Sequence, residues 1–313
     1  MVDLISAISG SLAPAQGIPS PWGWGTALYY WLASIASLTF IVAFISSLLG
    51  RRNAWAVKWS IRLTGPIAVI ALLVEAVELE NLGAVYWIFS NLSAPVAISA
   101  ASALVFIIVS LIYASVPWAP SGLQRYVAIA LGWIAAVASV VWLLGRTSLL
   151  TSAITRPFWA ASSMPAILLT SSIMLGVATL VFIWSLGAVA GKMNTLGDAI
   201  RLSSIVVACI PVLAFILGFQ VVGALNGEET LAKSAAMIIY GASSWVFWMG
   251  VVVGLVIPSI IYIVLYTFKS MMSENAQHIA LILASAFVIV GTLILFEALI
   301  SAGLRTPLPG EVI

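Results

Sequence analysis

The chain has 313 residues, 63% of them hydrophobic, with 12 Lys and Arg against 10 Asp and Glu, a net charge of +2 and a mean hydropathy of +1.19. So apolar a chain cannot keep its surface from water as a soluble fold, and the small charge gives no reason to expect nucleic acid, so it reads as a polytopic membrane protein. With one His, His278, and one Cys, Cys209, it also lacks the ligands for a di-haem cytochrome b bundle or an iron–sulfur cluster.

A bilayer core of about 30 Å takes about 20 helical residues, so apolar runs can be counted as spans. Eight are expected, at 23–49, 63–80, 95–116, 126–144, 165–189, 202–224, 244–267 and 279–302. Strands of a barrel would alternate apolar and polar residues, and runs such as Ile205 to Leu217 do not. The fold class is therefore all-α, in a single membrane domain over 1–313 with approximate halves 20–120 and 121–305.

The first 20 residues lack a basic n-region and lead into a long apolar span, so no cleaved signal peptide is expected. In span one, Thr26, Tyr30, Ser34 and Ser37 follow an i, i+4, i+8, i+11 spacing along one face, and Tyr29 widens it. That face is either an aromatic belt with hydroxyls bonding back to the helix, or a wet, ligand-binding face toward the bundle interior. Span two ends in Glu75, Glu78 and Glu80; the first two share a face and Glu80 points away. Acids inside spans are costly and by default mark a functional site or a proton route. Glu75, one to two turns inside the boundary, is the informative one, while Glu78 and Glu80 also fit headgroup-level, solvated acids.

Loop 117–125 (Pro-Trp-Ala-Pro-Ser-Gly-Leu-Gln-Arg) follows span three, and Arg146, at the end of span four, can pair with one of the span-two acids. The segment Arg156 to Pro165 is too rich in Pro and aromatics for a free linker and reads as structured or as an interfacial anchor. Pro66, Pro211 and Pro258 should kink their helices. Gly250 and Gly254 form a GxxxG pair, a common pattern that can bring two helices close. Asp198 and Arg201 read as a solvated loop or local ion pair, Cys209 as a small apolar residue and His278 as a solvated or interfacial imidazole. No polar cluster is expected deep on the side away from Glu75.

The positive-inside rule sets the orientation. One set of connections holds Arg51, Arg52, Lys58, Arg62, Arg125, Lys192, Arg201 and Lys269, the other Arg146, Arg156, Lys233 and Arg305. Eight against four puts both termini outside a cell (plasma) membrane. The loops are short, so chemistry in water belongs to partner subunits.

Trp22 to Tyr30 resembles the Trp-rich opening of the NrfD-type family, the quinone-reactive membrane subunit of polysulfide reductase and related complexes. Arg156-Pro157-Phe158-Trp159, then Met164-Pro165-Ala166-Ile167-Leu168-Leu169-Thr170-Ser171-Ser172 and Gly176, is similar to the family's RPxW … LPxxFxxSAxxxG passage. Phe247-Trp248-Met249-Gly250 with Val256-Ile257-Pro258 is similar to its span seven, and Gly291 with Ala302-Gly303 to its last span. The resemblance implies two stacked four-helix bundles, no cofactor held in this chain, and a pocket near the outer face for a quinone, menaquinone-type or similar. It also implies an iron–sulfur (ferredoxin-like) subunit docked over that pocket and passing electrons to or from a molybdopterin catalytic subunit, in anaerobic respiration on sulfur compounds. Tyr29 stands where the family often has His, Thr26 is the nearby polar position, and one of Glu75, Glu78 and Glu80 matches the acid ending span two. The family's tyrosine ahead of the RPxW passage and its last-span arginine are absent; Trp142 lies in the first stretch, and Phe296 stands in the arginine's place with Glu297 beside it.

A quinone headgroup needs donors at its carbonyls and a proton path to water, and Tyr29, Tyr30 and Glu75 or Glu78 can supply these on one side of the membrane. Arg146 completes this candidate pocket, and residues 146–165 with Glu78 and Glu80 are the expected docking face for the partner. A secondary transporter or channel would share the span count and the intramembrane acid but would favour paired broken helices, and none is evident. A structural anchor with an inactive quinone site is the other alternative, favoured by the missing tyrosine and arginine.

Overall fold

The structure is a computed structural model that describes residues 24–51, 54–78, 88–89, 91, 93–117, 122–152, 157–191, 196–241 and 244–304. Trp22, Gly23, Arg52, Glu80, Arg156, Lys192 and Arg305, and the side chains of Arg51 and Glu78, lie outside what it describes. Among the described residues eight helices are long and apolar enough to cross a membrane, and none forms a strand. The all-α, eight-span reading holds.

The spans are Trp24–Ser46, Trp55–Glu78, Pro95–Ser115, Leu123–Thr151, Met164–Val189, Leu196–Leu225, a composite seventh from Ser244 to Phe268, and Glu274–Leu304. Several run past the apolar stretches that reveal them. Span two begins eight residues early because Lys58 and Arg62 are carried inside the helix, where long stems let the charges reach water. Arg62 lies 5.8 Å over the Trp59 ring. Span four continues through Arg146 to Thr151, since that guanidinium is buried in protein rather than placed at the boundary.

Pro66 and Pro211 sit within continuous helix. At Pro258 the ladder yields: span seven comprises Ser244–Val251, a π-helical turn Val252–Val256 and Ile257–Phe268. Proline cannot donate to the carbonyl one turn back, and a π turn is one way of absorbing the mismatch. Beside it Gly254 meets Gly291 of span eight so closely that a Cβ on Gly291 would collide with the Gly254 backbone. The GxxxG pair thus does join two helices.

Spans one to four pack as a ring, each against the next and four against one. Spans five to eight pack mainly as five on six, five on eight and seven on eight. Span one joins the sets by packing on five and eight, and the Trp31 indole N–H donates to the Ile289 carbonyl at 2.8 Å. With eight spans among the described residues, the start of span one and the end of span eight lie on one side, called here the terminal side.

Among the described elements, that side carries two further helices. Pro157–Ala160 is tied down by Trp159, whose indole N–H donates to the Leu299 carbonyl at 3.2 Å, and by Gln220, whose amide donates to the Phe158 carbonyl at 3.1 Å. Phe158 and Trp159 are therefore buried in protein, not spread at an interface. Glu229–Tyr240 is an amphipathic helix the apolar count does not reveal. Its Glu229 and Lys233 pair at 2.7 Å, and the ammonium holds the carboxyl below its usual range.

Candidate functional site

The polar face of span one turns inward. Thr26, Tyr30, Ser34 and Ser37 are all buried, as is Tyr29. Helical spacing places these side chains on the wall where spans three, four and five approach.

Arg146 anchors the arrangement. It is 2% exposed, and its two terminal nitrogens reach across to other helices: Nη1 donates to the Tyr30 carbonyl at 2.7 Å and Nη2 to Ser34 Oγ at 2.6 Å, with Ser172 Oγ of span five at 3.4 Å. Tyr30 answers by donating its hydroxyl to the Arg146 carbonyl at 2.7 Å, and the guanidinium lies 5.1 Å over its ring. Ser34 and Ser172 face each other at 2.9 Å. This reciprocal clasp spreads the charge over several acceptors, as a buried cation requires.

Tyr29 is held differently. Its oxygen accepts from the Trp142 indole N–H at 3.0 Å, and the Ser99 hydroxyl lies close by. An oxygen that accepts from an indole still has a proton to place, so Tyr29 can act as a donor. Its ring stands edge-on to Tyr30, with centroids 5.5 Å apart. Glu75 of span two is half-buried, and its charge is within electrostatic reach of Tyr29, Tyr30 and Arg146.

Of the residues singled out from sequence, Tyr29, Tyr30, Arg146 and Glu75 converge, with Thr26 one turn from Tyr30 on the same face. Glu78 ends span two, and its side chain, like Glu80, is outside the described residues. The hydrogen bonds described for Arg146 run to spans one and five rather than to a span-two acid. Its burial also removes it from the docking face on which it was expected and from the loop charges, leaving eight against three.

Ser99, Trp142 and Ser172 join the site without a signal in the sequence. Single serines in apolar helices carry no periodic signal. Trp142 falls where the sequence comparison registers only a missing tyrosine, yet its N–H orders the Tyr29 oxygen.

The rest of the chain differs from expectation in two places. Of the two readings of His278, solvated or interfacial, the first falls, since the side chain is 5% exposed one turn into the helix that starts at Glu274. The side remote from Glu75 is not devoid of polar groups, since Tyr262, Ser285 and Ser185 are buried in the second bundle. Periodicity cannot show this, as each sits alone among apolar neighbours.

Two cavities lie away from the cluster. A groove of about 500 Å³ between spans five and six is lined by Thr170, Ile173, Ser204, Cys209 and Val212. A space of about 30 Å³ lies among Met237, Phe247, Glu297 and Ser301, where Ser301 donates to the buried Glu297 carboxylate at 2.6 Å. Among the described residues no group of three or more His, Cys, Asp or Glu could hold a metal ion.

The arrangement offers a phenol with a proton to give, a fixed cation and a half-buried carboxylate within one apolar bundle. No curated protein is significantly similar to the chain. The family described as "Polysulphide reductase, NrfD" matches residues 13–307, nearly its whole length. With its eight apolar spans, this chain belongs to the NrfD family, the membrane-anchor subunits of polysulfide reductase-like oxidoreductase complexes.

Proposed function

We propose that the chain is the quinol- or quinone-reactive subunit of a molybdopterin and iron–sulfur oxidoreductase acting on a sulfur compound such as polysulfide or sulfur. Electrons pass between a membrane quinone, menaquinone-type or similar, and an iron–sulfur subunit docked on the terminal side, which faces out of the cell. The observation that carries this reading is the convergence of Tyr29, Arg146 and Glu75 in a chain of this family. Tyr29 is the hydroxyl that bonds a quinone carbonyl, with Thr26 lining the approach. Tyr30 has its proton committed to the Arg146 carbonyl, so it supports the site through Arg146. Glu75, with Glu78 next along the helix, exchanges protons with the outer phase.

The test compares quinol-coupled turnover of the whole complex with artificial-donor turnover of its catalytic subunit. Glu75→Gln keeps shape but removes proton exchange, so quinol-coupled turnover should fall by about 10²–10⁴-fold, the usual contribution of a positioned acid–base group. Tyr29→Phe should weaken quinone binding by about 0.5–1.5 kcal/mol, a neutral hydrogen bond. Artificial-donor turnover should be unchanged in both. Full quinol-coupled turnover in Glu75→Gln and in its double variant with Glu78→Gln would move the proton route elsewhere.

A second reading, a structural anchor with an inactive quinone site, is favoured by one observation. Arg146 and Tyr30 hydrogen-bond to each other and are each 2% exposed. A purified complex with no quinol-coupled activity and no copurifying quinone would support it.

A further inference from the structure

The second bundle holds buried polar atoms that the reading above does not use. Ser185 of span five, Tyr262 of span seven, and His278 and Ser285 of span eight are between 0 and 5% exposed. None of Ser185 Oγ, the Tyr262 hydroxyl, His278 Nδ1 and Ser285 Oγ makes a well-formed hydrogen bond to a described residue. The Tyr262 and Ser285 hydroxyls face one another. His278 and Ser285, seven residues apart, share a face of span eight about two turns in length.

The serines are the informative members. A hydroxyl in an apolar helix ordinarily bonds back to a carbonyl three or four residues earlier. Ser34, Ser110, Ser139, Ser171 and Ser172 all do so. Ser185 and Ser285 do not, although both are fully buried. Ser37 and Ser60 share the property in the first bundle, but among the described residues no phenol or imidazole in the same state accompanies them there.

One turn beyond Tyr262, toward the side remote from the chain ends, the Tyr266 hydroxyl bonds with Ser203 Oγ at 2.9 Å and donates to the Ile200 carbonyl at 3.1 Å. Tyr266 is 39% exposed, so polar groups continue from the buried set to the rim of the bundle. Buried hydroxyls and imidazole nitrogens without protein partners are costly, and proteins meet that need with ordered water.

We propose that this half of the second bundle is a binding site for internal water, held by Tyr262, Ser285 and His278 and reached from the rim beside Tyr266 and Ser203. Hydroxyls, imidazole and water can exchange protons, so the site offers the second bundle a polar route that does not depend on the cluster around Arg146.

Hydroxyl-radical footprinting of the purified full chain, read by mass spectrometry beside amide hydrogen exchange, tests this. Radicals form from water, so a buried ring is modified only if water stands next to it. Tyr262 should be modified at a rate comparable to the exposed Tyr240, while Phe40 and Phe106, equally buried, stay unmodified and the amides of span seven stay protected. Ser285→Val, which fills the space and removes a ligand, should abolish that modification. A Tyr262 as unreactive as Phe106 would overturn the proposal. So would modification accompanied by rapid amide exchange in span seven, which would mean that the label enters by local opening.

Discussion

A guanidinium 2% exposed in an apolar bundle must spread its charge over good acceptors, and Arg146 finds them in the Tyr30 carbonyl, Ser34 and Ser172. Removing it strips those acceptors of a charged donor and loosens span four from spans one and five, which the Tyr30 bond to the residue-146 carbonyl and the Trp142–Tyr29 bond still join in part. Arg146→Ala should therefore cost at least about 1.5–3 kcal/mol, the range for a hydrogen bond to a charged group. Ser172→Ala removes the 2.9 Å bond to Ser34 and the long contact to Arg146, and should cost less, about 0.6 kcal/mol for a neutral interhelical hydrogen bond in a membrane. Unfolding of the detergent-solubilised chain checks the contrast, and equal losses would show that the guanidinium is not what ties these spans. The sequence marks Arg146, Tyr29, Tyr30 and Glu75 because charge and phenol are rare against an apolar background. It does not show that Arg146 and Tyr30 bind each other, since their partners are backbone carbonyls 116 residues apart.

Among the elements, the junction of spans seven and eight is the most tightly specified. Gly254 and Gly291 meet backbone to backbone beside the π turn that precedes Pro258. Gly291→Val should force the helices apart at about 1–3 kcal/mol or more, the cost of overpacking, and should lower the unfolding midpoint of the complex. The same change at Gly197, where a side chain would meet open space, should be close to neutral. A destabilisation as large at Gly197 would contradict close packing as the cause. Apolar runs locate all eight spans because bilayer thickness fixes their length. Edges are misjudged where a charged residue belongs to the helix, as at Lys58, Arg62 and Arg146. The helix Glu229–Tyr240 escapes notice because its polar face interrupts the run.

For the whole molecule, the division of labour follows from connectivity. Span one contributes Tyr29, Tyr30 and Ser34 and also packs on spans five and eight, so the candidate site sits where the two sets of helices meet. With Arg146 buried, the basic residues stand at eight against three, which strengthens the expectation that both termini face outside. Reporters fused after Ile313 and within the Arg51–Arg62 connection should report opposite sides, the first outside. Two cytoplasmic reports would refute both the orientation and the outer location of the site.

The central claim is that a quinone binds at the terminal side of the first bundle. Photoaffinity labelling of the purified complex with an azido-quinone, followed by mapping of the adducts, tests it most directly. Adducts should fall around Thr26 to Ser34 of span one and near Ser99 and Trp142, and excess unlabelled quinone should suppress them. Competable adducts confined to the second bundle, in the Thr170–Cys209 groove or beside Glu297, would contradict the account.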